Sequence, residues 1–172
     1  MRVKYLLSVV VMLALSSALH ATHIVGGEIS YEDLGGGSYR IRLVVYRDCG
    51  PTNANGTGFD DAASVGIFNA AGQLINVVNI PISFQNVSEV PVVLENPCGT
   101  PPPSVCVEQA VYQQVVEIGE SPNGFTLSYQ RCCRNPSIIN LINPDDAGAT
   151  FTTQIPGTNV TEDDNSSPVW NS

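Results

Sequence analysis

Ser38–Cys49 reads SYRIRLVVYRDC, and its alternation decides the fold class. Ile41, Leu43 and Val45 fall on one side of an extended chain and Arg40, Arg42 and Val44 on the other, the two-residue period of a strand with one face in a core. Upstream, GGEISYEDL has the same character, and Gly35–Gly37 between them reads as a hairpin turn. Downstream, SVGIFN and LINVVNIPI form a second hairpin around AAGQ, and EVPVVL reads as a short edge strand because Pro91 suits an edge. VCVEQAVYQQVVEI is the longest strand; the turn GESPNG leads into FTLSYQRCC, and SIINLIN and ATFTTQIP complete about nine strands. No segment holds a helical period with caps. The pattern predicts an all-β fold, an antiparallel immunoglobulin-like β-sandwich.

The first 21 residues differ from the rest. Arg2 and Lys4 precede an apolar run from Tyr5 to Leu15, and small residues follow, the layout of a secretory signal peptide cleaved after Ala18 or Ala21. The run is shorter than the roughly 20 residues that span a bilayer, so no membrane span is expected in the mature chain. Without the two signal cations, the cations are Arg40, Arg42, Arg47, Arg131 and Arg134 against 16 acidic residues, a net charge near −11. Such a surface repels nucleic acid and anionic lipid. About 150 residues make one domain, placed at residues 22–156. Residues 157–172, polar and acidic, read as a linker, and Trp170 after Ser167-Pro168 suggests the start of a further packed segment.

Compartment sets the reading of the five cysteines, at 49, 98, 106, 132 and 133. In an exported chain they are expected in disulfides, and the odd number leaves one over. Cys98 and Cys106 bracket a loop stiffened by Pro101, Pro102 and Pro103, and a bridge there would contribute about 2.5 kcal/mol by chain entropy. Strand parity carries the inward face through Arg47 to Cys49, and the face of Phe125, Leu127 and Tyr129 through Arg131 to Cys133. That favours Cys49–Cys133, with Cys132 left as an outward free thiol; a bulge would select Cys49–Cys132 instead. A bridge between the neighbours ranks last, because adjacent Cα atoms sit about 3.8 Å apart, below the usual disulfide range. Arg131 and Arg134 would lower a nearby thiol pKa, but the C-x-x-C of redox enzymes is missing.

Catalytic patterns are sparse. His23 is the one histidine clear of the signal region, and neither G-x-S-x-G nor H-E-x-x-H occurs. Hard oxygen ligands cluster in two loops: Asn53, Asn55, Asp60 and Asp61 in one, Asn143, Asp145 and Asp146 in the other. Either set is a candidate calcium site, although Asn and Asp also form ordinary turns. A carbohydrate-binding module would use the Asn53–Asp61 loop with Tyr or Trp platforms, and a carboxylate hydrolase would need Asp60 or Asp61 in a cleft.

Taken together, ATHIVGGEISY, VVYRDCG, SVGIFNAAGQLI, LSYQRCCRN, NLINP with GATF, and IPG with NSSPVW are combined motifs covering Ala21 to Trp170. The chain resembles the N-terminal region of large secreted Bacteroidetes surface proteins, known as gliding motility-associated C-terminal domain proteins or PKD-domain proteins, which type IX secretion exports. The resemblance implies an extracellular location, further immunoglobulin-like modules and a sorting domain downstream, and no assigned catalytic residues. The expected function is a non-catalytic structural or adhesion module. Its partners would be other extracellular domains, surface proteins or glycans; no cofactor beyond calcium is expected.

Overall fold

The computed structural model describes residues 24–50, 58–92, 99, 105–135, 137–159 and 165–168; the signal segment, Asn53, Asn55, Cys98 and Trp170 lie outside these. Among the described residues the chain forms seven strands: β1 (Ile24–Asp33), β2 (Ser38–Asp48), β3 (Ala62–Asn69), β4 (Leu74–Glu89), β5 (Val107–Glu117), β6 (Phe125–Cys132) and β7 (Gly148–Ile155). All pairings between strands are antiparallel, in the order β1-β2-β5-β4-β3-β6-β7.

That order is the immunoglobulin arrangement. β1-β2-β5-β4 corresponds to strands A-B-E-D of one sheet, and β3-β6-β7 to C-F-G of the other. β4 belongs to both layers: Leu74–Pro81 pair with β3, and Ile82–Glu89 with β5, with a register shift between Ile82 and Val87. A strand that changes sheets makes a corner, so the hydrogen-bonded order runs on through both layers.

The core lies between the layers and follows the alternation of each strand. Tyr39, Ile41, Leu43 and Val45 of β2 meet Val65 and Ile67 of β3 and Phe125, Leu127 and Tyr129 of β6 in one buried cluster, completed by Ala110 and Tyr112 of β5 and Ile80 of β4. Burial of a large apolar side chain contributes about 1.5–3 kcal/mol, so these inner faces dominate the stability. The outer face of β2 is charged, and Arg40 pairs with Glu32 and Arg42 with Glu28 of β1. Where β1 nears β7, a Cβ on Gly27 would come within 2.8 Å of the Phe151 ring and of the Val44 carbonyl, so glycine permits the close approach.

Among the described residues two expected strands do not form as predicted. β4 ends at Glu89, and Val90, Pro91 and Val92 of EVPVVL are not in a strand. SIINLIN is a turn-rich loop, followed by a 3-10 turn at Pro144–Asp146. Apolar composition suggested these strands, but SIINLIN lies between Pro136 and Pro144 and EVPVVL carries Pro91 within it, and proline cannot donate to a ladder. Part of the acidic tail lies against the sandwich: the Ser167 N–H donates to the Tyr31 carbonyl at 2.9 Å, and Ser166 and Ser167 Oγ accept from the Asp33 and Tyr31 N–H groups at 2.9 and 3.1 Å.

Candidate functional site: the loop end of the sandwich

One end of the sandwich gathers the long connections: β2–β3, β4–β5 and β6–β7. Parity carries Arg47 and Arg131 inward there, as the alternation of β2 and β6 predicts. Each inward guanidinium is matched by a carboxylate: Arg47 donates through Nε and Nη2 to Glu108 Oε2 at 2.9 and 2.6 Å, and Arg131 pairs with Asp60. The Arg131 side chain is 18% exposed, and burial pulls its pKa below the usual value. A buried guanidinium is held in a fold by such a partner. Phe59 stacks under Arg47 at 4.7 Å, and the Tyr112 hydroxyl donates to the Asp60 carbonyl at 2.9 Å. The Tyr112 hydroxyl is pushed up to about 12 by burial first and the Asp61 charge second, and burial also raises Tyr129. Phe59, Tyr112, Tyr129 and the two arginines surround a cavity of about 10 Å³, too small for a substrate.

The loops at this end are tied to one another. Asp48 accepts from the Gly50 N–H with Oδ1 and from Asn135 Nδ2 with Oδ2, both at 2.8 Å. Asn135 is 3% exposed, and its N–H donates to the Ile24 carbonyl at 3.1 Å. The buried Asn135 thus joins β1, the end of β2 and the β6–β7 loop. The β6–β7 loop is also closed on itself: the Arg134 N–H reaches the Pro144 and Ala147 carbonyls at 3.0 and 3.1 Å, and Asn135 Oδ1 accepts from the Ser137 N–H at 2.9 Å. On this anchored base Ile139 and Ile142 are 99% and 93% exposed, with Leu141 partly exposed beside them.

The disulfides overturn the expected framework. Cys49 is bonded to Cys106, not to Cys133 or Cys132, and Cys106 is therefore not joined to Cys98. The reason is register: Asp48 pairs with Val107, so the next residues outward, Cys49 and Cys106, face each other with Cα atoms 4.9 Å apart and the Cys49 N–H on the Cys106 carbonyl at 2.9 Å. Parity pointed across the core, whereas the neighbouring strand in the same sheet was nearer. Cys132 and Cys133 are bonded to each other, so Cys132 is not a free thiol, and the bridge ranked last is present. β6 ends at Cys132, so Cys133 has left the strand and is no longer bound by its alternation.

The other expected sites fare unevenly. Asp60 and Asp61 lie just before β3; Asp60 is paired with Arg131, and Asp61 is exposed. Asn53 and Asn55 lie outside the described residues. Asn143 takes a left-handed conformation before the 3-10 turn, its carbonyl accepts from the Asp146 N–H at 2.9 Å, and the Asp146 side chain is exposed. Asp145 sits in the same turn. Among the described residues no group of three His, Cys, Asp or Glu is placed to hold a metal ion. Tyr31, Tyr39, Tyr112 and Tyr129 are core residues, not surface platforms.

Sequence reasoning missed the Asp48–Asn135 bond and the exposure of Ile139 and Ile142. Asn135-Pro136 and Asn143-Pro144 flank the apolar stretch, and that pair of turn signals was the mark of a loop. Compared with protein-family models, curated proteins and solved structures, the chain matches none.

Proposed function

We propose that the chain is a non-catalytic extracellular module, exported by its signal peptide, that gives a bacterial surface protein a structural or adhesive contact through the loop end of its sandwich. The observation that carries the reading is the β6–β7 loop, whose anchored base holds Ile139 and Ile142 in water. Each exposed isoleucine leaves about 2 kcal/mol of burial unrealised, which a partner with an apolar pocket recovers on docking. The described arginines 40, 42, 47 and 131 are each paired with a carboxylate, so the acidic balance of the chain persists on its surface and favours a partner rimmed with basic groups.

The test is retention of the fluorescently labelled mature chain on intact bacterial cells. Changing Ile139→Asp and Ile142→Asp together should lower retention by on the order of tenfold with the fold intact. Equal retention of the two proteins removes the adhesive role from this loop. Heat on titration with calcium or polysaccharide, unchanged in the double variant, would favour the ligand-binding alternative.

A further inference from the structure

The two disulfides differ in what they constrain. Cys49–Cys106 joins residues 57 apart in sequence and links adjacent strands, whereas Cys132–Cys133 joins residues one apart and closes only an eight-membered ring. In the chain-entropy model the first contributes about 4 kcal/mol by restricting the unfolded chain, and the second restricts no loop at all. A bridge that does not tie the fold together is open to another role.

Its surroundings suit exchange. Cys132 is exposed and Cys133 half-buried at the root of the β6–β7 loop, whereas Cys49 and Cys106 are both half-buried just beyond the β2–β5 ladder, with the Cys49 N–H on the Cys106 carbonyl. Arg134 follows directly, and its described partner is the Gly148 carbonyl at 3.0 Å, which leaves the positive charge uncompensated by that contact. A neighbouring cation stabilises a thiolate and so improves it as a leaving group.

We propose that Cys132–Cys133 is a reversible thiol–disulfide exchange site whose co-substrate is a dithiol. One thiolate of the dithiol attacks Sγ of the exposed residue Cys132; the bond to Cys133 Sγ breaks, and Cys133 leaves with the electron pair as a thiolate. The second thiol of the co-substrate, deprotonated, attacks its own sulfur in the mixed disulfide and expels Cys132 as a thiolate. The protein ends as a dithiol and the co-substrate as a cyclic disulfide: two electrons and two protons have passed to the protein. The reverse sequence restores the ring. The site is independent of the apolar loop tip and stands whether or not that tip binds a partner.

The experiment is a graded reduction of the folded protein. A Cys98→Ser variant removes the fifth cysteine, and the unsubstituted chain is titrated in parallel with peptide mapping, so that misfolding of the variant does not hide the result. Native protein is treated with dithiothreitol, trapped with iodoacetamide and mapped by mass. Cys132 and Cys133 should label at a reductant concentration on the order of tenfold below that for Cys49 and Cys106. The near-ultraviolet circular dichroism of the core tyrosines should persist through the first step, and oxidised dithiothreitol should reverse it. In Cys133→Ser, glutathione disulfide should leave a stable adduct on Cys132, whereas in the unsubstituted chain Cys133 resolves it. Reduction of Cys49–Cys106 first, labelling of Cys132 and Cys133 only on unfolding, or mapping of either to another cysteine overturns the proposal.

Discussion

The two ends of the sandwich solve the same problem, joining antiparallel strands, by different means. At one end the connections are tight and local. Leu34–Gly37 joins β1 to β2 with Gly35, Gly36 and Gly37 at positive φ; Ala70–Gln73 joins β3 to β4, with Asn69 Oδ1 accepting from the Ala71 and Gln73 N–H groups at 3.0 and 2.9 Å. At the other end the connections are long and depend on bonds among loops and strand ends, through Cys49–Cys106, Arg131–Asp60 and Asp48–Asn135. The turn end is held by backbone conformation and backbone hydrogen bonds, and the loop end by a disulfide and side-chain bonds between residues far apart in sequence.

If the loop end depends on its cross-links, the largest loss should come from its disulfide. Replacing Cys49 and Cys106 together by alanine should cost about 4 kcal/mol, read as a lower chemical-denaturation midpoint. A loss below about 1 kcal/mol would show that the polar bonds there suffice.

The turn end should yield to a single methyl group. Gly37 has φ +77, and a Cβ would lie 2.5 Å from the Gly119 backbone, so Gly37→Ala should cost about 2–3 kcal/mol in thermal or denaturant unfolding. The Gly37 carbonyl also accepts the Ile118 and Gly119 N–H groups, both at 3.0 Å, so the methyl would disturb the β5–β6 connection too.

Alkali probes the loop end again. Tyr112 and Tyr129 have raised pKa values in the folded chain, so below pH 10 both states keep their protons and these groups leave stability flat. Above pH 10 the unfolded chain ionises first, and stability should fall by at most about 1.4 kcal/mol per pH unit for each tyrosine. For Tyr112 the fall is complete near pH 12. A pH titration of the denaturation midpoint checks it; Tyr112→Phe should flatten the slope.

The smallest effect on stability belongs to the most exposed residues. Ile139→Ser with Ile142→Ser should change unfolding free energy by less than about 0.5 kcal/mol, because neither side chain packs against the core. A loss well above that would mean the loop tip supports the fold.

The sequence was legible where a structural rule is local. The hairpin at GGG, the turn at AAGQ and the inward faces of β2, β3 and β6 follow from glycine conformation and a two-residue period. Even the inward course of Arg47 and Arg131 could be read from parity. SIINLIN misled because apolar residues between prolines share a strand's composition but lack its ladder.

By itself, then, the sequence determined the all-β class, the core faces and the tight turns, because neighbouring residues impose these on the backbone. Only the tertiary structure decided which cysteines pair, which carboxylate meets each inward arginine, and how β4 passes from one sheet to the other. Parity tells a side chain which face to take but not which strand lies beside it, and that depends on the order in which the sheets assemble.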